Sequence, residues 1–371
     1  MSEKSVRKIP FELYMNLIFL QVRVNDSKEL WFNLDTGLET SILDSEQAKA
    51  LGLTLVDKSN VTVPGGTIEL AFANEVSLNL AGIELSNQRV QTLPLTIFAP
   101  VLGRMIHGIL GHDLFNRFVI EIDYVRQVIN FYDPPRYQYS GKGEILPIKI
   151  ENDEPFLQAK IIPPGRSPIE AKLKIDTGSA DALGLNGSFV QTAQLVNPTQ
   201  KVLAQPGVAL GGITENYVTR VGDLQIGDLF IKNPVIGYSK DLTRSGDAGT
   251  IGGEIFRRFK VIFDYSRNQM ILEKNKHFDE SYHYDGSGLF LVAEGTNFEF
   301  VKVLRIAENT PATTAGLREG DIILQIDDEP TKKFSLERIR QILRQNGRIC
   351  RLSYERNGKT SETKIKLREL V

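Results

Sequence analysis

The sequence predicts a mainly β protein: two copies of one β-rich unit that can face each other across a pseudo-twofold axis, then a smaller α+β module. Three observations predict it. The triplet Asp-Thr-Gly occurs at Asp35-Thr36-Gly37 and again at Asp176-Thr177-Gly178, each time at the end of a strand-like run (Leu30-Trp31-Phe32-Asn33-Leu34 and Ala171-Lys172-Leu173-Lys174-Ile175). Two further landmarks recur at the same offset of 141 residues. Gly108-Ile109-Leu110-Gly111 becomes Gly249-Thr250-Ile251-Gly252, and Ile122-Asp123-Tyr124 becomes Phe263-Asp264-Tyr265. The character of the sequence then changes after His277, where the repeat ends.

The first unit is expected over residues 1–139 and the second over 140–277. Lys4, Arg7 and Lys8 precede a moderately apolar stretch, residues 9–24, that superficially resembles a signal peptide. Glu12, Asn16 and Gln21 interrupt it and no small-residue cleavage site follows, so it reads as two strand segments. No export signal is expected on that reading, which fits a cytoplasmic location; a periplasmic or cell-envelope location would require that a leader had been removed. Runs rich in Val, Ile, Phe and Thr alternate with Gly, Pro and Asn turns, as in Ile120-Glu121-Ile122 followed by Val128-Ile129-Asn130-Phe131. Short helices are expected at residues 45–51 and 188–194, and at 113–118 and 254–259. Gly-rich turns at Pro64-Gly65-Gly66 and at residues 207–212, including Gly211 and Gly212, sit between strand-like runs and suit hairpin tips, either ordinary surface hairpins or flaps closing over a ligand. Across residues 108–124 and 249–265, seven of 17 aligned pairs are identical, where chance gives about one.

Residues 278–288 are polar and aromatic and read as a linker. A third module is expected over 286–371, with strands at 300–306, 321–326, 350–356 and 363–367. A helix follows Ser335, with Leu336, Ile339 and Leu343 on one face. From Thr331 onward 12 Lys and Arg face 4 Glu, which reads first as a solvated basic surface and second as a patch for acidic partners.

The chain has 371 residues, enough for two or three domains. Its 41% apolar and 24% charged residues are ordinary for a globular protein. A net charge of −2 gives no footprint for nucleic acid. The single cysteine, Cys350, excludes an intramolecular disulfide and a thiolate metal cage, and the four histidines lack ligand spacing. No window has the roughly 18 consecutive apolar residues of a transmembrane helix.

Two aspartates on facing turns carry a definite chemistry. A close pair of carboxyls shares one proton, because both cannot easily ionise side by side. The ionised member accepts a proton from water, and the protonated member hydrogen-bonds the carbonyl under attack and then supplies the leaving amine. Thr36 and Thr177 offer hydroxyls to lock the turns together. Gly37 and Gly178 permit a tight turn and let backbone N–H groups approach the carboxylates. With both triplets, the downstream elements Ile109-Leu110-Gly111 and Thr250-Ile251-Gly252, and a Gly-rich turn between, the chain resembles the retropepsin-like and pepsin-like aspartic proteases over residues 9–277. The resemblance implies two β-barrel lobes and a catalytic dyad of Asp35 and Asp176 formed within a monomer. It further implies flaps at Gly65-Gly66 and Gly211-Gly212, a polypeptide substrate, and no metal or organic cofactor. Two departures stand out. Thr250 replaces an apolar residue, and the triplets are followed by different residues, Leu38 and Ser179. A Ser179 hydroxyl donating to Asp176 would favour its charged form, leaving the proton on Asp35.

Residues 309–323, Asn-Thr-Pro-Ala-Thr-Thr-Ala-Gly-Leu-Arg-Glu-Gly-Asp-Ile-Ile, with the helix after Ser335, resemble a PDZ domain of the kind common in bacteria. The resemblance implies that Ser287-Gly288-Leu289-Phe290 forms a loop whose N–H groups receive a peptide C-terminus, with the next strand pairing to the peptide. Leu336 and Ile339 then line the groove or serve as core. The function expected is an aspartic endopeptidase with a peptide-binding module. The alternatives are a peptide-binding scaffold that no longer cuts, and a β protein whose aspartates hold a cation, for which two carboxylates make a poor site.

Overall fold

In the computed structural model, residues 6–239 and 246–371 are described. A six-stranded antiparallel sheet joins the two repeats, in the order Val6–Pro10, Val128–Tyr132, Val119–Asp123, Phe259–Asp264, Gln269–Lys274, Glu144–Pro147. The order is a palindrome in the repeat, three strands from each. At its centre Glu121 lies opposite Ile262, its own counterpart, flanked by Ile120 opposite Phe263 and Ile122 opposite Val261. The alternating apolar residues of these strands face a core shared by both repeats. Phe115 meets Phe263 edge-on at 5.5 Å and stacks on Tyr265 at 5.6 Å, and Phe256 and Phe259 are fully buried beside them.

Each repeat adds its own curled sheet. In the first, strand Leu17–Val24 pairs with Glu29–Leu34 on one side and with the far end of Gly66–Leu80 on the other, so the sheet returns on itself. In the second, the corresponding long strand is broken into Gly212–Arg220 and Asp223–Ile226, and the latter pairs with Glu154–Ile162. The short helices lie at Ser45–Ala50, Gly187–Thr192, His112–Phe115 and Gly253–Phe256, each within a few residues of its expected place. Asp44 caps the first, accepting from the N–H groups of Glu46 and Gln47, a contact of roughly 1 kcal/mol.

The C-terminal sheet runs Leu289–Glu294, Phe300–Ile306, Ile322–Ile326, Ile349–Arg356, Lys359–Lys366. Helix Leu336–Leu343 packs on it, with the Ser335 hydroxyl accepting from the N–H of Arg338. The segment 278–288 is no free linker. Tyr282 is buried beneath the guanidinium of Arg258, 3.7 Å from its ring centroid, and Arg258 donates to the carbonyls of His277 and Glu280. Among the described residues no helix is long and apolar enough to cross a membrane.

Candidate active site

Both triplets are positioned by the same device. Strand Gly108–Leu110 runs parallel to Glu29–Leu34 and antiparallel to Ile42–Asp44, passing through the wide loop that carries Asp35. The N–H of Asp35 donates to the carbonyl of Leu110 at 2.9 Å. In the second repeat Gly249–Ile251 lies between Ile169–Ile175 and Leu183–Asn186, and the N–H of Asp176 donates to Ile251 at 3.0 Å. The glycines ending these elements are required by close approach: a Cβ at Gly111 would lie 2.8 Å from the carbonyl oxygen of Thr40, and one at Gly252 2.4 Å from that of Asp181. Thr250, the departure from the apolar pattern, donates to the carbonyl of Gly184.

The two turns meet. The Thr36 hydroxyl donates to the carbonyl of Ile175 at 2.8 Å and accepts from the N–H of Thr177 at 3.1 Å. The Thr177 hydroxyl returns both bonds, to Leu34 at 2.8 Å and from the N–H of Thr36 at 3.0 Å. Both threonines are buried. A Cβ at Gly37 would lie 3.0 Å from Cγ of Asp176 and 3.1 Å from Oδ1 of Asp35, and one at Gly178 2.2 Å from Oδ2 of Asp35. The two carboxyls thus lie side by side over Gly37.

Burial holds the Asp35 carboxyl well above the ordinary carboxylate range, and the neighbouring charge of Asp176 adds to it. The N–H of Gly37, 2.7 Å from Oδ1, and the ammonium of Lys174 act the other way without reversing it. The dyad as a pair therefore keeps a proton above the ordinary carboxylate range. Ser179 is not the cause: among the described residues its hydroxyl makes no hydrogen bond to Asp176, and the loop is fixed instead by backbone bonds from Ser179 N–H to Asp176 and from Gly253 N–H to Ser179. Sequence reasoning overlooked Lys174. It is buried two residues before Asp176, 3.2 Å from the carbonyl oxygen of Gly37 and 3.0 Å from Glu154. Its counterpart, Asn33, donates to the carbonyl of Ile18. Polar residues at inward positions of both strands were the available signal.

Two hairpins extend over this centre. Leu55–Val63 and Gly66–Leu80 turn at Pro64-Gly65, and Leu203–Ala209 and Gly212–Arg220 turn at Leu210-Gly211. Their tips touch. The N–H of Gly211 donates to the carbonyl of Pro64 at 3.1 Å, and a Cβ at Gly65 would lie 2.6 Å from the nitrogen of Gly212. Beneath the first tip, Val61, Val63, Ile68 and Leu70 form one apolar cluster with Leu38, Ile109, Ala180 and Leu210. Among the described residues no group of three or more His, Cys, Asp or Glu side chains is arranged to hold a metal ion.

In the C-terminal module, Gly288 adopts φ +81° and starts the strand that carries Leu289 and Phe290. The loop's donors are already engaged. Asp285 accepts from the N–H of Ser287 at 3.0 Å and of Gly288 at 2.5 Å, and the Ser287 hydroxyl accepts from Leu289. The position expected for a peptide's carboxylate is held by the chain's own. Leu336 and Ile339 are buried in the module's core; Phe290 is half-buried and lines a cavity of about 380 Å³ against Leu203, Pro206 and Ile213 of the second hairpin.

Burial pushes the Asp285 carboxyl up to about 6, against the bonds from Ser287 and Gly288. Its raised folded-state value means that its stabilising contribution is complete below about pH 4 and is lost as the pH rises through 6. Asp285→Asn keeps an acceptor for both N–H groups and does not titrate. It is expected to raise stability by up to about 3 kcal/mol above pH 7 and to make no difference below about pH 4, as denaturant titrations at pH 4 and 8 would read.

Residues 20–114, which carry the first triplet and its Gly108–Leu110 partner, match the family described as aspartyl protease, and residues 302–356 match the PDZ domain family. No curated protein matches the chain. Over these two stretches the chain is similar to aspartyl proteases and to PDZ domains.

Proposed function

We propose that this chain is an aspartic endopeptidase with a PDZ-type peptide-binding module, its two lobes, residues 1–139 and 140–277, facing each other across a pseudo-twofold axis. The observation that carries the reading is the reciprocal exchange of Thr36 and Thr177 hydroxyls beneath two carboxyls that lie side by side. The register that sets Glu121 opposite Ile262 supports the symmetry, and a dyad drawn from both halves of one chain supports activity as a monomer. Asp176 takes a proton from the water that attacks the scissile carbonyl. Asp35 donates its proton to the developing oxyanion, and the tetrahedral intermediate collapses as a proton passes to the amine. The apolar cluster beneath the first tip favours an extended substrate with apolar side chains beside the scissile bond. The module, residues 286–371, takes an extended peptide along strand Leu289–Glu294. Because Asp285 holds the loop donors, amidated peptides are expected to bind as well as free acids.

The test is cleavage of a diverse peptide mixture between pH 4 and 8, read by mass spectrometry, with Asp176→Asn as control. Cleavage by the parent alone supports the dyad; equal cleavage by both, or none by the folded parent, sinks it and leaves a binding protein. The tips give a second test. Gly211→Ala cannot keep the present contact with Gly66, whose nitrogen would lie 2.3 Å from the new Cβ. Losing about 1.4 kcal/mol of closing energy would raise KM about tenfold, while the melting temperature, set by the core beneath, stays unchanged.

A further inference from the structure

The peptide groove of the C-terminal module is already filled, and by the protease half of the same chain. Strand Leu289–Glu294 is the edge of its sheet and, among the described residues, pairs as a strand only with Phe300–Ile306, while helix Ala99–Leu102 of the first repeat packs against it. The slot between its outer edge and helix Leu336–Leu343 is where a peptide strand adds, and Gly103, at the end of Ala99–Leu102, lies at it: a Cβ there would be 3.0 Å from Leu336 and 3.5 Å from Ala293. The turn at Met15-Asn16 enters this slot. The N–H of Met15 donates to Glu337 Oε1 at 2.8 Å, one guanidinium nitrogen of Arg340 lies 3.0 Å from the Met15 sulfur, and the other donates to the carbonyl of Leu291 at 2.9 Å. Met15 packs both on the module's core and on the apolar cluster beneath the first hairpin tip.

The backbone argues that Met15 is there for its side chain. Tyr14 pairs with Leu17 across a two-residue turn in which Met15 has φ +50° and Asn16 φ +65°. Such turns favour Asn, Asp and Gly at both positions. Asn16 conforms and Met15 does not.

Asn16 carries the contact onward. Its side-chain amide donates to the carbonyl of Ala180 at 2.9 Å, in the loop that follows Asp176, and to Glu254 at 2.6 Å. The unfilled remainder of the slot opens into a cavity of about 530 Å³ bounded by Phe290, Tyr284 and Arg344 on one side and by Asp181 and Gln205 on the other.

We propose that Met15 is an internal ligand of the PDZ-type groove, and that an extended polypeptide segment entering the groove displaces it and thereby acts on the catalytic loop through Asn16 and Ala180. The proposal rests on the module's reading as a peptide binder. The incoming strand pairs with Leu289–Glu294 as Ala99–Leu102 moves aside, and puts an apolar side chain where Met15 was. Withdrawal of Met15 frees space in the cluster that lines the cleft, so the ligand raises cleavage.

The experiment uses the full chain in the Asp176→Asn background, so that the probe survives. A labelled, amidated decapeptide pool is titrated with and without Met15→Asn, a substitution that suits the turn. Removing the internal competitor is expected to tighten binding at least about fivefold. In the Met15-containing chain the peptide should shift the ¹³C-methyl resonance of Met15 and leave that of the buried Met270 in place. In the active chain, saturating peptide should raise cleavage of a separate substrate to the level that Met15→Asn reaches without it. Arg340→Gln, which loosens the same contact from the groove side, should tighten binding too. Equal affinity with an unmoved Met15 signal overturns the proposal while leaving the module a peptide binder. Binding by neither form removes the peptide-binding reading and the proposal together, and the protease reading is judged separately by the parent's cleavage without peptide.

Discussion

Asp35→Asn and Asp176→Asn are each expected to cut peptide turnover by about 10³-fold or more, since either removes half of an acid–base pair whose members each contribute factors of 10² to 10⁴. Loss of activity alone would not separate a broken mechanism from a broken fold; stability does. Asp35 is fully buried against a second carboxyl, and its proton is held well above the range in which an unfolded chain would release it. In the window between the two values the folded chain binds more protons than the unfolded one, so stability falls as the pH rises. This contribution is complete below about pH 4, the unfolded value, and disappears as the pH passes through the folded value. Asn cannot titrate. Asp35→Asn should therefore melt higher than the parent at neutral pH, with the gap widening as the pH increases and closing below about pH 4. A variant that is inactive and less stable at every pH would mean that Asp35 is a structural turn residue. In the active parent, the alkaline limb of the pH–rate profile reports loss of the Asp35 proton and should lie above the ordinary carboxylate range.

Much of this site was legible in the sequence because duplication writes the same constraint twice. Asp35 and Asp176 could be paired on paper because Gly111 and Gly252 follow each at matched spacing, and those glycines are fixed by backbone lying within van der Waals contact. The hairpin tips were legible as glycines between strands; that they touch was not, since contact across the axis depends on strand lengths that differ between the repeats. Ser179 misled because a residue next in sequence to a triplet need not point at its carboxylate. Lys174 was passed over as one charge in a strand, although its side chain is among the few buried charged groups. Least legible was the groove. Met15 and Glu337 are 322 residues apart, and no periodicity or motif links a hairpin turn to a helix of another module. Asp285 likewise looked like a polar linker residue, when it closes the loop it precedes.

The second large effect is expected at the threonines. Thr177→Val is nearly isosteric, but it leaves the N–H of Thr36 without its acceptor at 3.0 Å and the carbonyl of Leu34 without its donor at 2.8 Å. Each unsatisfied buried backbone group costs about 1–3 kcal/mol, so a loss of about 2–6 kcal/mol is expected from a total that is commonly about 5–15 kcal/mol. Thr177→Ser restores the hydroxyl and should recover most of the loss; if Ser is as poor as Val, the hydroxyl exchange is not what stabilises the turns. Thr36→Val should match Thr177→Val, because its hydroxyl makes the equivalent bonds to Ile175 and Thr177. These bonds run between the repeats, so their loss weakens coupling as well as stability. Trp31, the only tryptophan, lies in the first repeat and reports its unfolding, whereas circular dichroism reports every strand. The parent should give coincident transitions in urea for residues 6–277, which share one core. In Thr36→Val/Thr177→Val the central sheet still joins the halves, but the contact at the dyad is gone, and the Trp31 transition should separate from the change in strand content. Cleavage should be lost in that variant even where it remains folded, because the hydroxyl exchange is what brings the Asp35 and Asp176 turns together, and a dyad drawn apart no longer shares its proton.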